Sequence, residues 1–369
     1  MLKIELRKNR SNFLEVSAPV IAVILTMIFG GFLFLSMGKN PFEAIKLIFW
    51  DPIMSPTFSE YSRPQLVIKA APLILIALGL SFGFRANIWN IGAEGQYIMG
   101  ALFSGSIGLA LYPLEAWFIF PLMILGGIIG GIFWAMIPTI LKIKFNTNEI
   151  LVSLMLVYVA EQILALASVG FLRNPEGLGF PGSRDLSKYP SAANPELIAN
   201  SGIHLGVVFS VLAVISLTYF LIYHRLGFQI KLIGQAPKAA KFSGVNINYI
   251  IIFCLGLSGG LAGIAGMFEL TGPAGLINID FNVGYGFTAI IVAFLGRLHP
   301  VGIFFAGLLM SLTYVGGELA QLMLNIPAAS IQVFQGMLLF FLLSTDLLVS
   351  YKVSFNLGTN NSNPKSKSK

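Results

Sequence analysis

Cysteine, histidine and charged side chains are all scarce in this sequence. Among 369 residues there are one cysteine, Cys254, and three histidines, and charged residues make up 11%. A single cysteine excludes an intrachain disulfide and a thiolate metal cluster, and the scattered histidines do not predict a metal site. The charge content is about half that of an average soluble protein, which argues against a water-soluble chain.

Two motifs that would indicate chemistry are also missing. There is no G-x-x-x-x-G-K-[ST], since GLGFPGSR at 177–184 has the glycine spacing but no lysine, and there is no H-E-x-x-H. The sequence therefore predicts no phosphate loop for ATP, no catalytic residues and no bound metal. The net charge of +7 does not predict nucleic-acid binding here, because the distribution of charge in a membrane protein accounts for it better.

What the sequence does contain is apolar residues, at 56% of the chain, in runs of membrane-crossing length. A transmembrane helix needs ~20 such residues, and only helices or closed barrels satisfy their backbone groups in lipid. We predict an all-α polytopic membrane protein with about ten transmembrane helices. The predicted spans are 18–37, 66–84, 97–111, 117–137, 150–171, 203–223, 249–268, 283–295, 301–324 and 331–350.

Most of the 23 lysines and arginines fall on one side of these spans. The positive-inside rule makes that side cytoplasmic and puts both termini there. We expect residues 1–15 to be a basic cytoplasmic leader, 16–351 the membrane domain and 352–369 a disordered tail. The expected location is the bacterial plasma (inner) membrane.

The central loop, residues 224–248, is the most polar and basic interruption of the apolar middle of the chain. Within it we predict a short surface helix over residues 236–242, with Pro237 in its first turn and Gly244 after its end. Its apolar residues alternate with lysines, so one face could contact a partner. The alternative is a loop made basic only to orient the chain.

Polar residues inside the spans predict the substrate path, because such groups are costly in lipid unless they face protein or water. Two of the polar segments echo each other, NIWNIGAEG at 87–95 and NIDFNVGYG at 278–286. They fall at opposite membrane faces in the predicted topology, as in an inverted repeat, and transporters place such Gly-interrupted segments around the substrate. The candidate path residues are Asn87, Asn90, Glu94, Gln96, Glu161, Gln162, Asn282, Glu318 and Gln321. For the mid-span residues, a satisfied interhelical hydrogen bond is the alternative.

Glycines recur at four-residue spacing in two spans, as Gly126 with Gly130, Gly127 with Gly131, Gly256 with Gly260, and Gly259 with Gly263. This spacing predicts close helix packing rather than chemistry.

Three segments together resemble a known family. RLGFQIKLIGQAPKAAKFSGVNINYIIIFCLGLSGGLAGIAGMFEL resembles the cytoplasmic loop and following helix of permease subunits of bacterial ABC importers in the branched-chain amino acid and monosaccharide group. WNIGAEGQYIMGAL is similar to the early motif of its simple-sugar and nucleoside branch, and GYGFTAIIVAFLGRLHPVGIFFAGLL fits the C-terminal half. The resemblance covers residues 71–346.

The resemblance implies that residues 16–351 form a transport permease rather than an enzyme. It implies a cytoplasmic ATPase subunit that binds ATP and Mg²⁺, a second and different permease chain, an extracytoplasmic binding protein, and a nucleoside or simple sugar as substrate. Ala93-Glu94 replaces the aspartate of ribose-type members, which argues against ribose and favours nucleosides. The residues that match the family's ATPase-coupling motif are Gly234, Gln235, Ala236, Pro237, Lys238, Ala239, Ala240, Lys241, Gly244 and Val245.

Two other classes remain as alternatives. An ion-coupled secondary transporter or channel could use Glu161 or Glu318 as a proton relay. A rhomboid-type intramembrane serine protease is suggested by the GxSG around Ser258, with His299 as the partner base. The topology separates that serine and histidine by roughly 15 Å in depth, at 1.5 Å per residue.

Overall fold

Most of the described part of the chain is helical. The computed structural model describes residues 2–6 and 12–355, and it describes the side chains of residues 17–345. The helices of this part are α1 (Asn12–Ser36), α2 (Pro41–Phe49), α3 (Asp51–Met54), α4 (Ser59–Arg85), α5 (Ala93–Ala110), α6 (Ile119–Phe145), α7 (Glu149–Val169), α8 (Leu205–Tyr223), α9 (Arg225–Gln235), α10 (Pro237–Phe242), α11 (Ile247–Thr271), α12 (Tyr285–Leu295), α13 (Pro300–Leu324) and α14 (Ala328–Ser350).

Eight helices in the described residues are long and apolar enough to cross a membrane. They are α1, α4, α6, α7, α8, α11, α13 and α14, which agrees with an all-α polytopic membrane protein. The other two predicted spans also form helices. Helix α5 has 18 residues and is buried along most of its length, and α12 has 11 residues, which rise only about 16 Å.

The chain divides into two compact units. The smaller unit takes residues 1–41 and 332–369, and it contains α1, most of α14 and two short strands, β1 (Leu2–Leu6) and β2 (Tyr351–Phe355). The strands pair antiparallel, with Ile4 opposite Val353. This pair interrupts the predicted leader and begins the predicted tail, whose remainder, 356–369, lies outside the described residues.

The larger unit, Phe42–Ile331, is organised around α4, α5, α6 and α11. Helices α6 and α11 meet along two of the four predicted glycine pairs, Gly127 with Gly131 and Gly259 with Gly263, while Gly126 and Gly130 face α5. A Cβ added to Gly131 would lie 2.0 Å from the carbonyl oxygen of Gly259, and one added to Gly263 would lie 2.0 Å from that of Gly127. The backbones are therefore in direct contact, as the four-residue spacing predicts.

Local sequence sets several helix ends in this unit. The side chains of Asn148 and Asn246 accept hydrogen bonds from the first-turn amides of α7 and α11, which leaves fewer unpaired backbone donors there. Pro237 occupies the first turn of α10, where its missing N–H costs nothing.

The central loop contains two helices. The predicted surface helix is α10, and Gly244 follows it with a φ of +78°. Residues 225–235, predicted as part of the loop, form α9 instead. This helix buries Gly227, Ile230 and Ile233 on one side, so its apolar spacing is that of an amphipathic helix.

Candidate functional site: a polar centre within the membrane bundle

The segment before α5 carries the first polar network. Asn90 is buried, and its Nδ2 donates to Gln96 Oε1 and to Ser258 Oγ, both at 2.9 Å. Asn90 Oδ1 accepts from Gln96 Nε2 at 3.1 Å and from the Gly92 amide at 3.0 Å. The two amides thus satisfy each other and fix the first turn of α5 against α11.

Glu94, in the first turn of α5, joins this segment to α12. Its carboxylate accepts from the Gly284 amide at 3.1 Å and from the Gly286 amide. Gly284 has a φ of +80°, which glycine adopts without strain, and a Cβ on Gly286 would lie 2.3 Å from the Glu94 nitrogen. The N-termini of α5 and α12 therefore touch, and the carboxylate lies where the N-terminal amides of α12 attract an anion.

A second carboxylate lies beside the first. Glu161 of α7 accepts from Asn282 Nδ2 at 2.6 Å, and Asn282 Oδ1 accepts from the Gly284 amide at 3.3 Å. Glu161 lies twelve residues along α7 from Glu149, which is about 18 Å in a hydrocarbon core of ~30 Å. We call Glu94, Glu161 and Asn282, with Asn90 and Gln96, the central polar cluster, and it lies at mid-membrane depth.

A polar cavity of about 380 Å³ lies at the predicted outer end of the same helices. Its polar lining residues include Gln65, Lys69, Glu269, Asp280 and Tyr285. Lys69 also forms an ion pair with Glu318 of α13. The volume is within the ~300–1,000 Å³ range of small-molecule sites.

A smaller cavity of about 230 Å³ shares Gln65 with the first. It is lined by His204, which is buried and caps α8 by accepting from the Gly206 amide. Asn194 Nδ2 lies 3.0 Å from the same ring nitrogen, Nδ1. Burial lowers the pKa of His204 to about 4, so the ring is neutral and carries its proton on Nε2.

The structure brings five of the nine predicted path residues together and separates four. Asn87 accepts from the Trp89 indole, and Gln162 is exposed. Glu318 pairs with Lys69 towards the outer end, and Gln321 lies on the same helix, half-buried. Sequence reasoning missed Lys69 and Glu269, because each lies near the end of a predicted span.

The loop helices present a different kind of surface. On α10, Lys238, Ala239, Lys241 and Phe242 are exposed, with Phe242 95% exposed, whereas Ala240 is fully buried. The predicted partner-facing surface therefore includes Ala239 and Phe242, while Ala240 packs inwards.

Helix α9 connects that surface to the membrane helices. A Cβ on Gly234 would lie 1.9 Å from the carbonyl oxygen of Arg85, the last residue of α4. Arg85 Nε in turn donates to the Leu298 carbonyl at 2.9 Å, between α12 and α13. Helix α9 thus contacts the end of α4, and Arg85 connects that end to the segment between α12 and α13.

Ser258 has an amide partner in place of an imidazole. Its Oγ accepts from Asn90, and an amide does not act as a general base. His299 lies at the start of α13, beside Arg85. The geometry therefore gives the GxSG motif a packing and hydrogen-bonding role.

The bundle has a polar centre enclosed by apolar helices, a cavity at one end, and at the other end a surface loop that contacts the membrane helices. These features are those of a membrane transport permease. Residues 62–343 match the model of the family described as branched-chain amino acid transport system, permease component. The chain belongs to this family, in its simple-sugar and nucleoside branch.

Three relatives illustrate the branch. The chain is 30% identical to the glucose ABC transporter permease protein TsgB13 of Haloferax volcanii, over 95% of this chain and 93% of that protein. It is 27% identical to the nucleoside ABC transporter permease protein NupB of Lactococcus lactis, over 89% and 90%. It is 26% identical to the guanosine ABC transporter permease protein NupP of Bacillus subtilis, over 92% and 95%. No solved structure matches the chain.

Proposed function

We propose that this chain forms the translocation path of an ATP-driven importer for a nucleoside or a simple sugar. It works with a separate cytoplasmic ATPase, which binds ATP and Mg²⁺, with a second and different permease chain, and with an extracytoplasmic binding protein. The complex lies in the plasma membrane, with both termini of this chain in the cytoplasm. The family, the relatives and the charge distribution support this proposal.

The substrate enters the outer cavity and passes the central polar cluster. Glu269, Asp280 and Gln65 offer acceptors and amide groups suited to hydroxyls, and the phenol of Tyr285 adds a further donor. Of the charged residues lining the cavity, two are acidic and one, Lys69, is basic. This balance disfavours phosphorylated ligands and suits uncharged nucleosides and sugars.

The observation that carries the coupling proposal is the contact between Gly234 and the Arg85 carbonyl. It leaves no space for a side chain, so α9 and α4 move together. An ATPase that binds α10 through Phe242 and the neighbouring lysines would shift α9, and with it the ends of α4, α12 and α13. The bundle would then alternate between outward and inward openings.

Phe242→Glu tests the coupling proposal. The side chain is exposed, so the fold should tolerate the change, but the new charge would be buried at the ATPase interface. We expect loss of ATPase co-purification from membranes and at least a tenfold drop in uptake. Asn248→Glu, a change at another exposed residue, in the first turn of α11, is the matched control. Normal uptake and ATPase association in Phe242→Glu would refute the coupling role.

Uptake of labelled guanosine and glucose tests the substrate proposal. We expect one of the two to accumulate in an ATPase-dependent manner, with the unlabelled compound competing and its phosphorylated derivative failing to compete. Proton-dependent uptake by the chain alone in proteoliposomes would instead favour an ion-coupled transporter.

A further inference from the structure

A basic cavity of about 320 Å³ opens at the membrane face that the charge distribution makes cytoplasmic. It lies among α4, α8, α9 and the start of α13, away from both the outer cavity and the central polar cluster. Its polar lining consists of Arg85, Lys231, His299 and Thr218, and none of its lining residues is acidic.

The charge in this cavity comes from two elements. Arg85 ends α4 and uses its Nε for the Leu298 carbonyl, which leaves its two terminal nitrogens for another acceptor. Lys231 lies on α9 and is exposed. Burial, together with neighbouring Arg85, lowers the pKa of His299, so its ring is a neutral donor at physiological pH. A site with two cations and further donors suits a phosphate group.

The rest of the cavity wall is apolar and faces outward. Ile222 and Phe228 line it and are 61% and 67% exposed. On the same helix as Ile222, the rings of Tyr219 and Tyr223 pack at 4.8 Å and are both exposed, as in the aromatic belt at a membrane interface. A free phosphate would use only the cations, whereas a lipid would also cover this apolar wall.

We propose that this cavity binds the phosphate headgroup of an anionic phospholipid from the cytoplasmic leaflet, with an acyl chain along the exposed face of α8. The bound headgroup bridges α9 to α4 and α13, the same elements that Gly234 and Arg85 connect. Basic pockets between helices at the cytoplasmic face are suited to such headgroups. The lipid therefore strengthens the connection between the loop helices and the membrane helices.

The test is native mass spectrometry of the purified full chain in mild detergent, titrated with phosphatidylglycerol or phosphatidylcholine. We expect phosphatidylglycerol to be retained preferentially. At about fivefold for each unit of charge altered, Lys231→Glu, an exposed change of two units, should weaken its binding by about 25-fold, and Arg85→Gln, a change of one unit, by about fivefold. Lys238→Glu on exposed α10 is the control, since it makes the same charge change at the same face outside the cavity.

Competition with inorganic phosphate identifies the source of the phosphate group. Millimolar inorganic phosphate should not displace the lipid, because it cannot use the apolar wall, and displacement would reassign the cavity to a free phosphate. Equal binding of the two lipids would overturn the proposal. So would equal effects of the Lys231 and Lys238 variants. None of these readouts requires the ATPase or a transport substrate, so failure here is distinct from failure of the importer proposal.

Discussion

Glu94→Gln is the most direct test of the central polar cluster. The glutamate carboxylate accepts from both Gly284 and Gly286 in a buried place. Glutamine has nearly the same shape but only one acceptor oxygen, and its NH₂ group would face the second backbone amide. One hydrogen bond to a backbone amide is therefore lost, and the glutamine NH₂ group faces that amide, so that two donors are brought together.

The cost follows from these bonds. A hydrogen bond to a charged group contributes ~1.5–3 kcal/mol, and a buried donor left unpaired costs ~1–3 kcal/mol. Since the two figures overlap, we expect Glu94→Gln to destabilise the fold by about 3 kcal/mol. The melting shift per kcal/mol shrinks with chain length, from ~2–4 °C for 150–250 residues, so we expect about 5 °C here.

The single cysteine supplies the assay. Cys254 is fully buried, so a thiol-reactive fluorophore reports unfolding as this residue becomes accessible. We expect the midpoint of that reaction to fall in Glu94→Gln and uptake to fall with it. Glu60→Gln, which changes an exposed acid on α4, is the control. Equal midpoints for the two variants would refute the argued role of the carboxylate.

Two further predictions also concern the stability of the fold. The first uses the Cys254 reaction, and the second uses circular dichroism during thermal unfolding, because a thiol reacts too slowly at pH 4. Gly131→Ala should lower the Cys254 midpoint, because its Cβ would lie 2.0 Å from a backbone oxygen, whereas Gly256→Ala should not, since its nearest neighbour is the end of a methionine side chain at 3.4 Å. His204 has a folded pKa of about 4, below its usual value of ~6.5, so protons bind the unfolded state first. The free energy of unfolding should fall by about 3 kcal/mol in total between pH 6.5 and 4, and His204→Asn, which keeps a capping side chain, should remove this dependence.

Much of the architecture is readable from local patterns. The length of the apolar runs identifies the long helices. Pro237 and Gly244 mark the start and end of α10, because proline and glycine have backbone preferences that can be recognised in a sequence. Helix α9 is missed because its basic residues suggest a loop, although Gly227, Ile230 and Ile233 follow helical spacing.

The polar centre is only partly readable for a different reason. Glu94, Glu161 and Asn282 stand out individually because polar groups are costly in apolar runs. Their meeting depends on contacts across more than a hundred residues, which no local pattern encodes. The echo between the two Asn/Gly segments pointed to their relation, and the structure places these segments in contact at the N-termini of α5 and α12.

The outer cavity is not predictable from the sequence, for a third reason. Lys69 and Glu269 each lie near the end of a predicted span, where a charged residue is expected. Neither position therefore indicates a cavity. Only the packing of α4 against α11 puts both on one cavity.

The direct backbone contact between α6 and α11 has a mechanical consequence. At Gly127, Gly131, Gly259 and Gly263 no side chain separates the two helices, so they lack there the interdigitated layer through which packed helices slide. We therefore expect α6 and α11 to keep their positions relative to each other during the transport cycle. We expect the helices that are bound mainly at their ends to move instead, above all the short α12. Glu94 binds the N-terminal end of α12, and the hydrogen bond from Arg85 to Leu298 lies just beyond its C-terminal end.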